Sequence, residues 1–240
     1  MHRILSLAIL AIPAFAQTAV RDDRWRADID FLTAQLPTRH PNLFTKTSRE
    51  DWLALTARLK AAVPELPDYQ VQAGIARLVA AGGDAHTSVT AIAAGSRNFP
   101  IRVQWFDEGL FVTRAGVPVA RALGKKLVAI GGVPIEAAYD NVKQFLSYEN
   151  EYWARQISPA YLVNAEFLHA ADVLPAVRPT AFTFEDAAGA RFSLEIAPGD
   201  LGTIPAVWPA RPRTPLYQRN ADLYYWFEWL PEALLSKIDS

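Results

Sequence analysis

Apolar positions recur at helical spacing through the first third of the chain and at alternate positions through much of the rest. Trp25, Ile29, Leu32 and Leu36 share one face of a helix over residues 23–36, which Pro37 ends. Trp52, Leu55 and Leu59 mark a second helix, opened by Ser48 with Asp51 three residues on and stopped before Pro64. Val71, Ile75, Leu78 and Val79 form the stripe of a third, capped by Asp68 and halted at Gly82. These stripes are core rather than ligand sites.

The period then changes. Ile101, Val103 and Trp105 alternate, Asp107-Glu108-Gly109 makes a turn, and Leu110-Phe111-Val112 starts the return strand. Leu127 to Ile130 gives a further strand, closed by Gly131-Gly132. Residues 136–146 read as a helix through Tyr139, Val142 and Leu146. Ser158-Pro159 reads as the N-cap and first turn of another, carrying Leu162, Ala165 and Leu168, with His169 satisfying carbonyls near its end. Phe182/Phe184 and Phe192/Leu194/Ile196 alternate on either side of Asp186-Ala187-Ala188-Gly189, which predicts a hairpin. Five prolines between Pro198 and Pro215 mark a long irregular connection, and Tyr224 to Leu230 an aromatic-rich strand or edge stopped by Pro231. Helices followed by antiparallel strands give an α+β fold class.

Composition narrows the function. The 240 residues are 51% hydrophobic and 20% charged, an ordinary globular balance with a real core. A formal net charge of −1 offers no electrostatic case for nucleic acid or an anionic membrane. With no cysteine there are no disulfides and no thiolate chemistry, and four histidines without cysteine argue against a structural zinc. No metal and no cofactor are expected. At the N-terminus, His2-Arg3, the apolar run Ile4 to Phe15 and the A-x-A of Ala14-Phe15-Ala16 read as a signal peptide over residues 1–16. The run is too short to span a bilayer, so the expectation is an exported protein, periplasmic or extracellular, with no membrane anchor.

The stretch that bears chemistry is Gly82-Gly83-Asp84-Ala85-His86-Thr87. The paired glycines stop the third helix, and His86 to Ile92 alternates as a strand. A histidine at such a junction either projects into a cleft or is a hydrogen-bonded structural group. Asp84 either orients His86 or caps the turn. His40, before Pro41, reads as a loop-packing residue, and Lys125-Lys126 as a solvated turn.

Four segments in order resemble the S41 peptidase family, the tail-specific or C-terminal-processing proteases and their tricorn-like relatives. They are Arg39-His40-Pro41-Asn42-Leu43-Phe44, then Arg77-Leu78-Val79-Ala80 running into Gly83-Asp84-Ala85-His86-Thr87. Next come Phe99-Pro100-Ile101 opening a β-rich insert with Leu127 to Ile135, and finally Tyr224-Tyr225-Trp226-Phe227-Glu228-Trp229-Leu230-Pro231. The resemblance implies a helical N-terminal region over 17–98, a degenerate PDZ-like insert over 99–147, and over 148–240 the opening strands of an incomplete ClpP/crotonase-like core. It also implies hydrolysis of peptide bonds by a serine nucleophile, with His86 as the general base and Asp84 as the orienting residue.

The family's glycine-rich segment and serine have no counterpart here; after Gly202 the chain has no glycine. Ser88, two residues along a strand from His86, would lie about 6.6 Å away, against the roughly 3 Å that proton transfer to a base requires. The expectation is therefore an S41-type peptidase-like chain that stops before its nucleophile and is inactive alone. Its partner is a polypeptide substrate or a peptide ligand. The alternatives are a non-catalytic peptide-binding module, for which no clear carboxylate-binding loop is present, and a carrier. An aromatic edge at 224–230 without its neighbouring strands would promote self-association.

Overall fold

The computed structural model describes residues 14–89, 96–199, 206–207, 222–223, 225–227 and 229. The chain divides into two compact units, Met1–Trp208 and Pro209–Ser240.

The first unit opens with three helices, α1 (Ala14–Arg39), α2 (Arg49–Ala62) and α3 (Asp68–Ala80). Their apolar stripes meet in a small core of Ile29, Leu59, Val63, Val71 and Leu78. Ser48 caps α2 as its sequence predicts, its hydroxyl oxygen accepting from the Asp51 amide at 3.0 Å. Pro37 does not end α1. It sits in the last turn, where a missing N–H costs one bond, and the helix closes two residues later with His40 N–H on Leu36 O at 2.9 Å. Asp68 is not the cap of α3 either, since Pro67 takes that position. Its carboxylate accepts from Arg21 Nε at 2.7 Å and Trp25 Nε1 at 2.8 Å and so fastens α3 to α1.

An open antiparallel sheet follows, making the protein α+β. Its strands are β1 (Ile101–Phe106), β2 (Gly109–Gly116), β3 (Lys126–Ile130), β4 (Val133–Pro134), β5 (Thr180–Glu185), β6 (Arg191–Ile196) and β7 (Ala206–Val207). The order is β1-β2-β3-β5-β6, with β4 also on β3 and β7 also on β2. Both predicted hairpins form. Asp186 Oδ1 accepts from Ala188 and Ala190 N–H in the second, and Gly189 takes a positive φ of 80°. The sheet is continuous across residue 147, because β3 pairs with β5.

Three helices pack on the sheet: α4 (Ile135–Val142), α5 (Glu151–Leu162) and α6 (Ala165–Ala170). The large core between them includes Phe99, Ile101, Leu110, Leu127, Val142, Leu162, Phe182 and Phe184. The helix expected to start at Ser158 is divided differently. Asn150 caps α5 and Asn164 caps α6, while Ser158 and Pro159 lie inside α5. Ser158 Oγ instead accepts from Trp105 Nε1 at 2.9 Å, tying α5 to β1. His169 does not serve carbonyls at a helix end; its Nδ1 is hydrogen-bonded with the Tyr69 hydroxyl at 2.7 Å.

No helix among the described residues is long and apolar enough to cross a membrane. Of the second unit, the described members of the 224–230 stretch form no strand, and Tyr225, Phe227 and Trp229 are exposed.

Candidate functional site

The last turn of α3 fixes the site, because every one of its terminal carbonyls finds a donor. Arg77 O takes Ala81 N–H, Val79 O takes Gly82 N–H, and Ala80 O takes Gly83 N–H. Leu78 O takes the Trp52 indole N–H at 2.8 Å, and Ala81 O takes the Thr47 hydroxyl at 2.8 Å. Two of these donors come from α2 and the 40–48 loop, so the end of α3 and that loop are held as one piece. Leu43, itself buried, presses on Gly82, where a Cβ would meet its Cδ1 at 2.8 Å.

Gly83 then turns the chain with φ +68°, a backbone conformation that favours glycine. A Cβ there would also lie 2.2 Å from Lys46 Cδ. Lys46 lies across this turn and donates from Nζ to Tyr148 O at 2.9 Å, joining the segment before α5. Gly83→Ala is expected to cost about 1–2 kcal/mol from the left-handed backbone alone, and to displace Lys46 from the Tyr148 carbonyl. Urea unfolding of the variant checks it.

Asp84 is the hub. Its Oδ1 accepts the His86 backbone N–H at 2.9 Å; its Oδ2 accepts the Thr87 hydroxyl at 2.6 Å and meets His40 Nε2 at 2.9 Å. This turn replaces the strand expected from His86 onward: residues 85–89 are turn and irregular backbone, because the side chain of Asp84 supplies the local hydrogen bonds. Thr90, Ala91 and Ile92 lie outside the described residues.

Of the two options left open for Asp84, the one seen directly is the turn. The carboxylate closes it, and its Oδ1 stands 3.7 Å from His86 Nδ1, beyond hydrogen-bond length. His86 itself is 91% exposed. His40 is the residue sequence reasoning underread. Its side chain is only 10% exposed and it reaches the hub across 44 residues. The signal available was the apolar Leu43-Phe44 pair three residues on, which anchors that loop.

The Thr87 hydroxyl, the His86 amide and the His40 imidazole, in that order, hold the Asp84 carboxyl well below the usual carboxylate range. A folded-state value below the unfolded one, about 3.9, stabilises the fold fully above that pH and progressively less as pH falls below it. The stability gap between the wild type and Asp84→Asn is therefore expected to be constant near neutrality and to shrink below about pH 4. Denaturant titrations at several pH values measure it.

A cavity of about 560 Å³ opens beside this hub, lined by His40, Asn42, Gly83, Asp84, Thr87 and Glu149. Asp84, His86 and Glu149 each offer a ligand atom within 4.8 Å of the others, the donor set that could receive a metal. The turn does not need an ion, since the Asp84 carboxylate already accepts three hydrogen bonds. Ser88 faces elsewhere, into a second cavity of about 540 Å³ between β1 and α5 that Ser147 also lines. Ser48, Ser96, Ser158 and Ser193 are engaged in bonds of their own. Among the described residues no serine hydroxyl bonds to either ring nitrogen of His86 or His40.

No family model matches the chain, and no curated protein does. Among solved structures, that of mature CPAF, a chlamydial serine protease, superposes with a TM-score of 0.52 at 13% identity over 75% of this chain and 36% of that one. A structure of mature CPAF complexed with lactacystin gives a TM-score of 0.48 at 15% identity over 84% and 40%. The chain thus spans little more than a third of that protein's length. At such identity the likeness is one of fold alone.

Proposed function

We propose that this chain is the histidine-bearing part of an exported S41-type serine peptidase acting on polypeptides, with the nucleophile outside the described residues. In this reading residues 1–16 are the leader, 17–98 the helical region, 99–147 a PDZ-like insert and 148–240 the start of the catalytic core. The observation that carries it is the Asp84 hub, which presents an exposed imidazole with a carboxylate behind it, within a protease-like fold. A serine hydroxyl brought to His86 Nε2 would lose its proton there, and Asp84 Oδ1 would steady the imidazolium from the Nδ1 side. The 3.7 Å gap shortens as that charge forms, as catalytic hydrogen bonds in unliganded sites commonly do.

The isolated chain is then expected to bind an unstructured polypeptide without cleaving it. Incubation with a fluorescently labelled unfolded protein reads both, by anisotropy and by gel. No binding overturns the reading. Cleavage that survives His86→Ala overturns the role of His86, and cleavage lost in that variant reveals a serine outside the described residues.

A non-catalytic peptide-binding module is the second reading, favoured by one feature. Among the described strands β1 is paired on one side alone, and the 540 Å³ cavity beside it presents Arg102, Gln104, Trp153 and Gln156. An extended peptide adds to such an edge through its backbone. Binding weakened by changes at Gln104 and indifferent to His86 would favour this module.

A further inference from the structure

The two histidines flanking Asp84 do not have interchangeable roles, and their environments say which does what. His40 Nδ1 lies 3.2 Å from the backbone N–H of Asn42, which can only donate, so that ring nitrogen must be the acceptor. The proton of the neutral ring is then on Nε2, directed at Asp84 Oδ2 at 2.9 Å. Both nitrogens of this largely buried ring are used. His86 is the opposite case: its amide is bonded, its ring is exposed, and neither ring nitrogen has a hydrogen-bond partner among the described residues.

We propose that His40 is a positioning residue for the His86 site: a neutral Nε2–H imidazole that locks the Asp84 carboxylate so that Oδ1, not Oδ2, faces the His86 ring. Two donors, the His40 ring and the Thr87 hydroxyl, occupy Oδ2 and oppose rotation of the carboxylate about its axis. Oδ1 accepts one hydrogen bond, from the His86 amide, which leaves it a lone pair for His86 Nδ1. His86 Nε2 is thereby left as the atom that exchanges protons with whatever enters. The loop that carries His40 is anchored by the buried Leu43 and by the half-buried Phe44, which packs edge-on against Trp52 with centroids 5.9 Å apart. The role for His86 rests on the peptidase reading, whereas the tautomer of His40 and its grip on Asp84 do not.

Long-range proton–nitrogen spectra of the labelled full chain near neutral pH test it directly. His40 is expected to show an unprotonated Nδ1 and a protonated Nε2, while His86 shows a mixture of tautomers. His40→Gln keeps a donor near Nε2 and is expected to leave the His86 ring and amide signals at their wild-type positions. His40→Phe removes the donor, and the His86 amide is expected to exchange with solvent roughly tenfold faster, the scale of one lost bond to a charged acceptor. An Nδ1–H tautomer for His40, or Gln and Phe variants that behave alike, would overturn the proposal. If either variant fails to fold, the wild-type tautomer decides it. None of these readouts requires hydrolysis, so failure of the peptidase reading shows only in the cleavage and binding assay.

Discussion

Trp52→Ala is expected to lower the free energy of unfolding by about 3–5 kcal/mol, the range for a fully buried large aromatic. The side chain is 0% exposed, its ring meets Phe44 edge-on, and its indole N–H closes the Leu78 carbonyl at the end of α3. Truncation therefore opens a cavity between α2 and the 40–48 loop and leaves a terminal carbonyl without its donor. The second effect reaches the site. With Leu78 O unpaired and Phe44 unsupported, the loop bearing His40 and the turn bearing Asp84 lose their common anchor. Urea unfolding measures the first effect; the His40 ring signals, broadened or shifted at low denaturant, measure the second. Trp52→Phe, which keeps most of the volume but not the donor, separates cavity from capping and should cost roughly 1–2 kcal/mol.

Phe182→Ala is expected to cost a similar 3–5 kcal/mol and to leave the His40 signals unmoved. Phe182 sits at 0% exposure in the middle of β5, its ring T-shaped on Phe99 at 4.6 Å and stacked on Phe184 at 6.5 Å. β5 is hydrogen-bonded on both sides, to β3 and β6, so the surrounding backbone cannot collapse into the space. The residues it supports belong to the sheet core, whereas the histidine–aspartate hub follows the end of α3, which Trp52 and Thr47 close and whose Leu78 belongs to the helical core. Equal stability losses with unequal effects on the His40 spectrum would show that the two cores act separately on the site. Equal effects would mean that the hub responds to global stability alone.

The contrast explains what was legible in the sequence. The stripe through Trp52, Leu55 and Leu59, the Ser48 cap and the two hairpins follow from local periodicity and turn chemistry, and they stand as read. The misplaced boundaries share a cause. Pro37, Asp68 and Ser158 carry strong local signals for helix ends, and in each case a partner distant in sequence or the place within the turn decides otherwise. Asp68 is taken by Arg21 and Trp25, Ser158 by Trp105. At the site, Asp84 and His86 were visible as a pair in a glycine-bounded turn. That the turn would displace a strand, and that a histidine from the first loop would complete the hub, depends on a contact that periodicity cannot register.

Those same distances set the order in which the molecule assembles. The bond between His40 and Asp84 closes 44 residues of chain, and that from Lys46 to Tyr148 closes 102. Loops of that size lose their entropy before any contact within them repays it, while helices and short hairpins form on local contacts. The hub is thus a product of docking rather than a seed for it. Changes in it should act on how fast the native protein comes apart, and leave the rate at which it is made almost untouched.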